Sequence, residues 1–225
     1  NAEGIARRGL VLALLTSLKQ ICNHPAHYLD DGSALDGRSA KLEAFDDLLD
    51  GTRDAGDDTR AEPTLVFTQY VAMAKLLAAH LAGRGISHAI LHGGLTPNER
   101  QRLTDEFQAG RIEVLLCSLR AAGTGLTLTR ATQVIHYDRW WNPAVEDQAT
   151  DRAHRIGQTS TVSVHRLISE GTVEERVADV LTQKRQLAGA VMGTGVDGWI
   201  GGLNDSELGN LVRRHGPSNS TDEAA

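Results

Sequence analysis

Five short apolar runs alternate along this chain with segments of helical periodicity, and this alternation constrains the fold more than any other feature. The runs predict strands over residues 64–68, 87–91, 113–117, 132–137 and 161–167. Strands that are apolar on both faces and are separated by helices are typical of parallel sheets, because the connecting helices cover both faces. The sequence therefore predicts an α/β fold in which a parallel sheet is sandwiched by helices.

Helical segments flank and separate these runs. The sequence TPNE at residues 96–99 combines a capping box with proline at the first helical position, and predicts a helix that ends at Gly110. A second capping box, TVEE at residues 172–175, predicts a helix that continues to about Ala190. Ahead of the sheet, residues 4–28 predict an apolar helix broken at Pro25, and Ser39 predicts the N-cap of another helix.

The net charge of −6 at pH 7 bears on which partners the chain can bind. Nucleic-acid phosphates require a basic face, and an acidic chain offers one only if its charges are unevenly distributed. Acidic residues crowd positions 30–62, whereas arginines nearly balance the acidic residues over positions 100–166. The sequence therefore allows a local basic groove beside an acidic, solvated loop.

Composition argues against a helical membrane protein. The longest apolar stretches, such as residues 10–15, are far shorter than the ~20 residues that a membrane-spanning helix needs. Cys22 and Cys117 lie far apart, and we expect both to be free thiols in a reducing cytosol. Because the chain begins at Asn1 rather than at methionine, we expect further sequence upstream.

Polar segments follow four of the predicted strands, at the sheet edge where the functional loops of parallel α/β folds lie. They are TQY at 68–70, HGG at 92–94, SLRAAGTG at 118–125 and DRWWNP at 138–143. Each segment also has a structural interpretation, since the glycines suit tight or flexible joints between strand and helix. Position alone therefore makes these loops candidates and leaves both interpretations open.

The most informative spacing is that of Gln148, Arg152 and Arg155. On an α-helix these side chains fall within an arc of about 60° on one face. Two aligned arginines suit a bidentate grip on phosphate. A surface helix with ion pairs is the alternative, because Asp151 and Arg155 have the favourable i, i+4 spacing.

Features of a complete nucleotide site are missing from the sequence. It contains no Gly-x-x-x-x-Gly-Lys-Ser/Thr loop for phosphate, and no second acid follows Asp138, which ends a strand as a magnesium-binding carboxylate does. The chain therefore cannot build a complete nucleoside-triphosphatase site by itself. Cys22, His24 and His27 lack a fourth ligand nearby, so a zinc site is not predicted.

Taken together, the segments resemble the C-terminal lobe of Snf2-family ATPases of helicase superfamily 2, and bacterial members above all. The resemblance to motif IV of that family lies in LVFTQY. The resemblance to the family segment that follows motif IV lies in LHGGLTPNERQRLTDEF. Motifs V, Va and VI follow in unbroken order in LLCSLRAAGTGLTLTRATQVIHYDRWWNPAVEDQATDRAHRIGQ. The flanking sequences LKQICNHP, GTVEERVADVLTQKR and LNDSELGNLV also fit, so the resemblance spans about Leu10 to Val212.

The resemblance implies a domain organisation. Residues 1–50 would form N-terminal helices leading into the lobe, and residues 51–63 an acidic loop. Residues 64–170 would form the RecA-like helicase C-terminal lobe. Residues 171–213 would form a brace helix with a C-terminal extension, followed by a disordered tail over 214–225.

The resemblance also implies the second motor lobe of a DNA translocase that hydrolyses ATP and acts on double-stranded DNA. ATP with magnesium would lie between two RecA-like lobes, held mainly by an N-terminal lobe of the same protein, so that this chain alone would be inactive. A location in the bacterial cytosol or nucleoid follows. Two alternatives remain open: a lobe of a superfamily 2 RNA helicase, and a non-catalytic module that binds nucleic acid or protein.

Site residues follow position by position from the resemblance. Arg152 and Arg155 would be arginine fingers, Gln148 would order the same site, and Gly125 with Thr127 would line the nucleotide. DNA contacts would come from Thr68, Gln69, Gly93, Arg100, Ser118, Arg120 and Trp141. This chain departs from the family pattern at three positions, where Arg120 replaces a usual lysine, Ala122 a glycine and Thr127 an asparagine.

Overall fold

The computed structural model describes residues 2–53, 62–118, 127–140, 142–155 and 157–187, together with residues 206, 208 and 209. Seven helices lie in the described ranges up to residue 187: α1 (Ala2–Asn23), α2 (Pro25–Leu29), α3 (Ala40–Arg53), α4 (Val71–Gly83), α5 (Pro97–Gln108), α6 (Pro143–Thr150) and α7 (Val173–Leu187). Five strands lie there too: β1 (Thr64–Thr68), β2 (His88–Leu91), β3 (Val114–Ser118), β4 (Gln133–His136) and β5 (Ser163–Arg166). Each of the five apolar runs contains a strand, as predicted.

The five strands form one parallel sheet in the order β2-β3-β1-β4-β5. The three central strands β1, β3 and β4 are completely buried, whereas β2 and β5 at the edges are partly exposed. This arrangement confirms the predicted α/β fold. The strands β2, β4 and β5 are each shorter than the apolar runs that predicted them.

Alternate residues of each central strand point to opposite faces of the sheet. Leu65 and Phe67 of β1 pack with Phe107 of α5 and Ala149 of α6 in one core. The intervening residue Val66 packs on the other face, in a core that α3 and α4 complete with residues such as Phe45, Leu49, Met73, Leu77 and Leu81. The sheet is therefore covered on both faces by helices.

The helix starts depend on polar side chains that the sequence identified. At α5, the Thr96 hydroxyl accepts from Glu99 N at 3.3 Å, and the Glu99 carboxylate accepts from Thr96 N at 2.8 Å. This is the predicted capping box. At α7 the arrangement is shifted by one residue, since the Glu175 carboxylate accepts from Gly171 N at 3.0 Å.

The N-terminal helices are interrupted at His24. Its Nδ1 accepts from Ala26 N at 3.0 Å and so caps α2, where Pro25 occupies the first position. At the other end of this region α3 continues to Arg53, beyond the boundary expected at residue 50. The α1 helix packs against α3 and α7, so the helices before and after the sheet meet on one side of it.

Candidate functional site

Three central strands bring their carboxyl ends to one edge of the sheet. Thr68 of β1 is the register partner of Ser118 of β3, and both side chains are buried. Phe67 pairs with His136 of β4, so Asp138 follows just beyond the end of that strand. The edge therefore gathers residues from three of the polar segments that the sequence singled out.

Asp138 is fully buried at this edge, and its two carboxylate oxygens accept three hydrogen bonds. The Thr68 hydroxyl and Asn23 Nδ2 donate to Oδ2, the latter at 3.2 Å, and Gln69 N donates to Oδ1 at 3.1 Å. These donors satisfy the carboxylate in the way that a buried charge requires. Asp138 therefore orders the start of the loop after β1, and the magnesium role considered from sequence does not fit these contacts.

Thr68 and Gln69 occupy different positions in this loop. Thr68 is completely buried, and its hydroxyl donates to Asp138 and accepts from Tyr70 N at 3.2 Å. The Thr68 side chain is therefore engaged within the protein, and the contact of Thr68 with DNA that the resemblance implies stays a prediction. Gln69 is half-buried, and its Nε2 has no hydrogen-bond partner in the structure. A buried donor without a partner is costly, and the phosphate contact of Gln69 stays a prediction, since its Nε2 is as inaccessible as the Thr68 side chain.

Arg100 holds the glycine turn after β2. Its Nη2 donates to the Gly93 carbonyl at 2.9 Å, and its Nε donates to the Leu95 carbonyl at 3.1 Å. Gly93 itself is exposed, and the Arg100 side chain is half-exposed. Gly93 and Arg100, both predicted to contact DNA, therefore lie together on the surface. The Arg100 guanidinium holds the glycine turn in place and adds a positive charge beside it.

The spacing of Gln148, Arg152 and Arg155 does not place them on one helix face. Helix α6 ends at Thr150, with Asp151 as its C-cap, and residues 151–155 form a turn. The helix stops because tertiary contacts take over: the Arg152 carbonyl accepts from Leu128 N at 3.0 Å instead of from a later residue of a helix. Only Gln148 of the three lies on α6.

The turn nevertheless brings the three side chains to one cavity of about 470 Å³, which Asp151 and His154 also line. Arg152 is only 9% exposed, and its Nε has no hydrogen-bond partner among the described residues. Arg155 is exposed, and its Nη1 donates to Thr127 Oγ1 at 3.2 Å. A buried guanidinium with an unused donor beside a second guanidinium is suited to bind an anion with several oxygen atoms.

A second cavity of about 670 Å³ adjoins the first, since His154 and Arg155 line both. Gln158 closes one side of it, donating to the Ala131 carbonyl at 2.8 Å and accepting from Ser160 N at 2.9 Å. The remaining walls are residues 159–162. Arg155 thus lies at the junction of two openings, with Thr127 beside it.

Three predicted site residues, Gly125, Arg120 and Trp141, lie outside the described residues, as does Ala122. Within the described ranges no helix is long and apolar enough to cross a membrane. No group of three or more His, Cys, Asp and Glu side chains there could hold a metal ion. His24 engages both ring nitrogens with protein partners, Ala26 N and the Leu35 carbonyl.

Sequence reasoning missed a set of buried charged residues beneath this edge. They are Lys19, Lys41, Arg139, Glu146 and Glu174, each at most 5% exposed. Lys19 donates to the Arg139 carbonyl, and burial lowers its pKa to about 8 against the opposing attraction of Asp138 and Glu174. The sequence carries no signal for this burial, since a lysine in a helix normally indicates a solvent-facing position.

Arg139 and Glu146 connect the loop after β4 to α6. Glu146 is fully buried and accepts from Arg139 Nε at 2.8 Å and from Trp140 N at 2.8 Å. Arg166 of β5 approaches the same carboxylate at 3.7 Å. The loop that leads to Trp141 is therefore tied to the helix that carries Gln148.

Comparison with known proteins identifies the family of this chain. The model of the helicase conserved C-terminal domain matches residues 40–157. The Bacillus subtilis protein YwqA, named as an ATP-dependent helicase/translocase, is 44% identical over 214 residues, which is 94% of this chain and 22% of that protein. A mouse SWI/SNF-related regulator of chromatin, subfamily A member 1, is 34% identical over 96% of this chain and 21% of its own length.

Solved structures agree with the sequence matches. The C-terminal domain of the Sulfolobus solfataricus SWI2/SNF2 ATPase superposes with a TM-score of 0.75 at 33% identity, covering 94% of this chain and 84% of that chain. The core of the same ATPase in complex with double-stranded DNA gives a TM-score of 0.78 at 37% identity, over 94% of this chain and 43% of that chain. The chain spans about a fifth of the length of the curated relatives that it matches, 22% in YwqA. Since the domain model covers more than half of its 225 residues, the chain belongs to the helicase conserved C-terminal domain family, as a RecA-like C-terminal lobe of the Snf2 type.

Proposed function

We propose that the chain is the second motor lobe of an ATPase that translocates along double-stranded DNA. In this proposal a first lobe of the same protein binds ATP with magnesium, and this lobe supplies Arg152 and Arg155 as arginine fingers. The observation that carries the proposal is the cavity beside α6, where a buried guanidinium with an unused donor lies beside an exposed one. Such groups stabilise the negative charge that develops on a transferring phosphoryl group.

The surroundings of the two arginines support different tasks. The Arg152 backbone is anchored by the bond between its carbonyl and Leu128 N, and its side chain is nearly buried, so its guanidinium would meet the triphosphate with less loss of conformational freedom than an exposed arginine. Arg155 is exposed and rests on Thr127, from which it can swing towards a ligand on the facing lobe. Gln148 would order the same site, and Thr127 with Gly125 would line the nucleotide.

The DNA side of the proposal rests on the sheet edge and the glycine turn. Gln69 offers an unpaired amide donor, and Arg100 with Gly93 offers a charged surface turn. Contacts of this kind bind phosphates and position a duplex without reading its sequence. Ser118, Arg120 and Trp141 complete the proposed surface on the strength of the family resemblance.

The relatives supply independent support. The Sulfolobus SWI2/SNF2 core, to which the chain is 37% identical, was solved with double-stranded DNA. YwqA is named as dependent on ATP and is several times longer than this chain, which leaves room for a first lobe. Closure of the two lobes on ATP and opening after hydrolysis would then move the protein along the duplex.

The test uses a protein that carries both lobes. Replacing Arg152 or Arg155 with alanine should lower DNA-stimulated ATP hydrolysis by ~10³ or more, because each guanidinium acts in the transition state. Lysine should restore little, since a point charge does not reproduce the planar fork of arginine. DNA affinity without nucleotide should stay within about twofold of the wild type, because neither arginine is assigned to DNA.

Arg102→Ala is the matched control, since Arg102 is 65% exposed on α5 and pairs with Glu106. It should hydrolyse ATP like the wild type, and melting curves should show that every variant is folded. The chain alone should show no turnover above a buffer blank. Near-wild-type ATPase in both alanine variants would refute the finger assignment, and stimulation by duplex RNA in place of duplex DNA would point to an RNA helicase.

A further inference from the structure

A continuous buried network connects helix α7 to the loop proposed to contact DNA. It begins at Glu174 in the first turn of α7, whose carboxylate lies 2.6 Å from Lys41 Nζ on α3. Both side chains are almost completely inaccessible, at 0% and 4% exposure. The ion pair therefore links two helices that lie far apart in the sequence, and water does not screen it.

Lys41 uses its other two donors on the sheet edge. Its Nζ donates to Asn23 Oδ1 at 3.2 Å and to the Tyr137 carbonyl at 3.1 Å. Asn23 Nδ2 donates in turn to Asp138 Oδ2 at 3.2 Å, and Asp138 accepts from Gln69 N at 3.1 Å. All three protons of the ammonium group are thus used, and each step of the path is a direct hydrogen bond.

We propose that the Lys41–Glu174 ion pair is a positioning element for DNA binding, which acts through Asn23 and Asp138 on the loop at Thr68 and Gln69. The inference rests on the proposed function, because it assigns that loop to DNA. Asp138 accepts from the backbone N–H of Gln69, so a displacement of Asp138 moves the loop that carries the Gln69 side chain. The position of α7 thereby sets how well the lobe binds duplex DNA.

A purely structural role for the pair predicts something different. Replacing both members of a buried ion pair by apolar residues of similar size often leaves stability unchanged or raises it, whereas removing one member leaves an unpaired buried charge. The double variant Lys41→Met with Glu174→Leu therefore separates the two roles. It preserves packing while it removes the donors that orient Asn23 and the Tyr137 carbonyl.

The experiment measures, in the protein with both lobes, the concentration of duplex DNA that gives half-maximal stimulation of ATP hydrolysis. We expect the double variant to fold with a lower melting temperature, because Asn23 Oδ1, the Tyr137 carbonyl and Ser169 N lose their partners, and to need at least tenfold more DNA. The rate at saturating DNA should stay within about twofold, because the residues at the ATP site are unchanged. The single variant Lys41→Met should show the same DNA requirement with lower thermal stability.

The matched control is Arg102→Met with Glu106→Leu, an exposed pair on α5 that should leave the DNA requirement unchanged. A double variant that is stable and needs no more DNA than the wild type would overturn the inference. A double variant that loses its rate at saturating DNA would also overturn it, since the pair would then act on the ATP site. If the wild type itself shows no stimulation by DNA, the proposed function fails instead.

Discussion

The buried imidazole of His136 should make the fold sensitive to mild acid. His136 lies in the central strand β4, is completely inaccessible and stacks on Phe67 with ring centroids 5.4 Å apart. Thr150 Oγ1 donates to the Glu146 carbonyl, so Nε2 of His136 donates to Thr150 and an added proton must go to Nδ1. That nitrogen is buried and has no hydrogen-bond partner within the described part of the chain.

Burial, together with the nearby charges of Arg166 and Arg139, lowers the pKa of His136 from 6.5 to about 4. Because the folded pKa lies below the unfolded one, the unfolded chain binds the extra proton between these two values. Stability is therefore fully present above pH 6.5 and is lost as the pH falls towards 4. One pKa unit is worth about 1.4 kcal/mol, so the loss is about 2 kcal/mol at pH 5 and about 3 kcal/mol when complete.

Urea unfolding of the wild type and of His136→Phe at pH 7 and pH 5 measures this effect. Phenylalanine keeps the stack on Phe67 and removes the titrating group, although it also loses the bond to Thr150. The wild type should lose about 2 kcal/mol more than the variant between the two pH values. Equal losses in both proteins would show that the protonation of His136 does not limit acid stability, whatever the variant does to stability at pH 7.

Two further predictions concern buried and surface cations. Burial lowers the pKa of Lys19 from 10.5 to about 8, so the unfolded chain binds more protons than the folded chain between these pH values. The free energy of unfolding of the wild type relative to Lys19→Met should therefore rise from pH 8 to pH 10. A difference that stays constant over this range would contradict the prediction. Arg100→Ala should weaken DNA binding for all DNA sequences alike and reduce the slope of log affinity against log salt concentration by about 1. Fluorescence anisotropy measures both quantities. A loss of affinity that is confined to some DNA sequences would argue against a phosphate contact.

The sheet was predictable because its signal is local. Residues 64–68 are buried on both faces of the sheet, and β1 has the predicted bounds. Strand β3 pairs with all five residues of β1, and β4 pairs with the first four. The capping box at Thr96 was predictable for the same reason, since its two partners are three residues apart. Patterns whose physics is contained in a few consecutive residues can be interpreted without a structure.

The end of α6 and the buried lysines depend on distant residues. Periodicity extended the helix through Arg155, but the contact of Arg152 with Leu128 ends it sooner. Lys41 is charged, and its partners Glu174 and Tyr137 lie far along the chain. Helical spacing contains no information about such partners, which become visible only when the fold brings them together.

The strand order has a consequence for how the chain is made on the ribosome. Strand β1 lies in the middle of the sheet, and both of its neighbours, β3 and β4, are synthesised after it. Glu174 emerges 133 residues after Lys41, so α3 leaves the exit tunnel long before its buried charge has a counterion. Because domains fold as units, the nascent lobe can reach its native core only near the end of its own translation, and until then its apolar surfaces lack the partners that bury them.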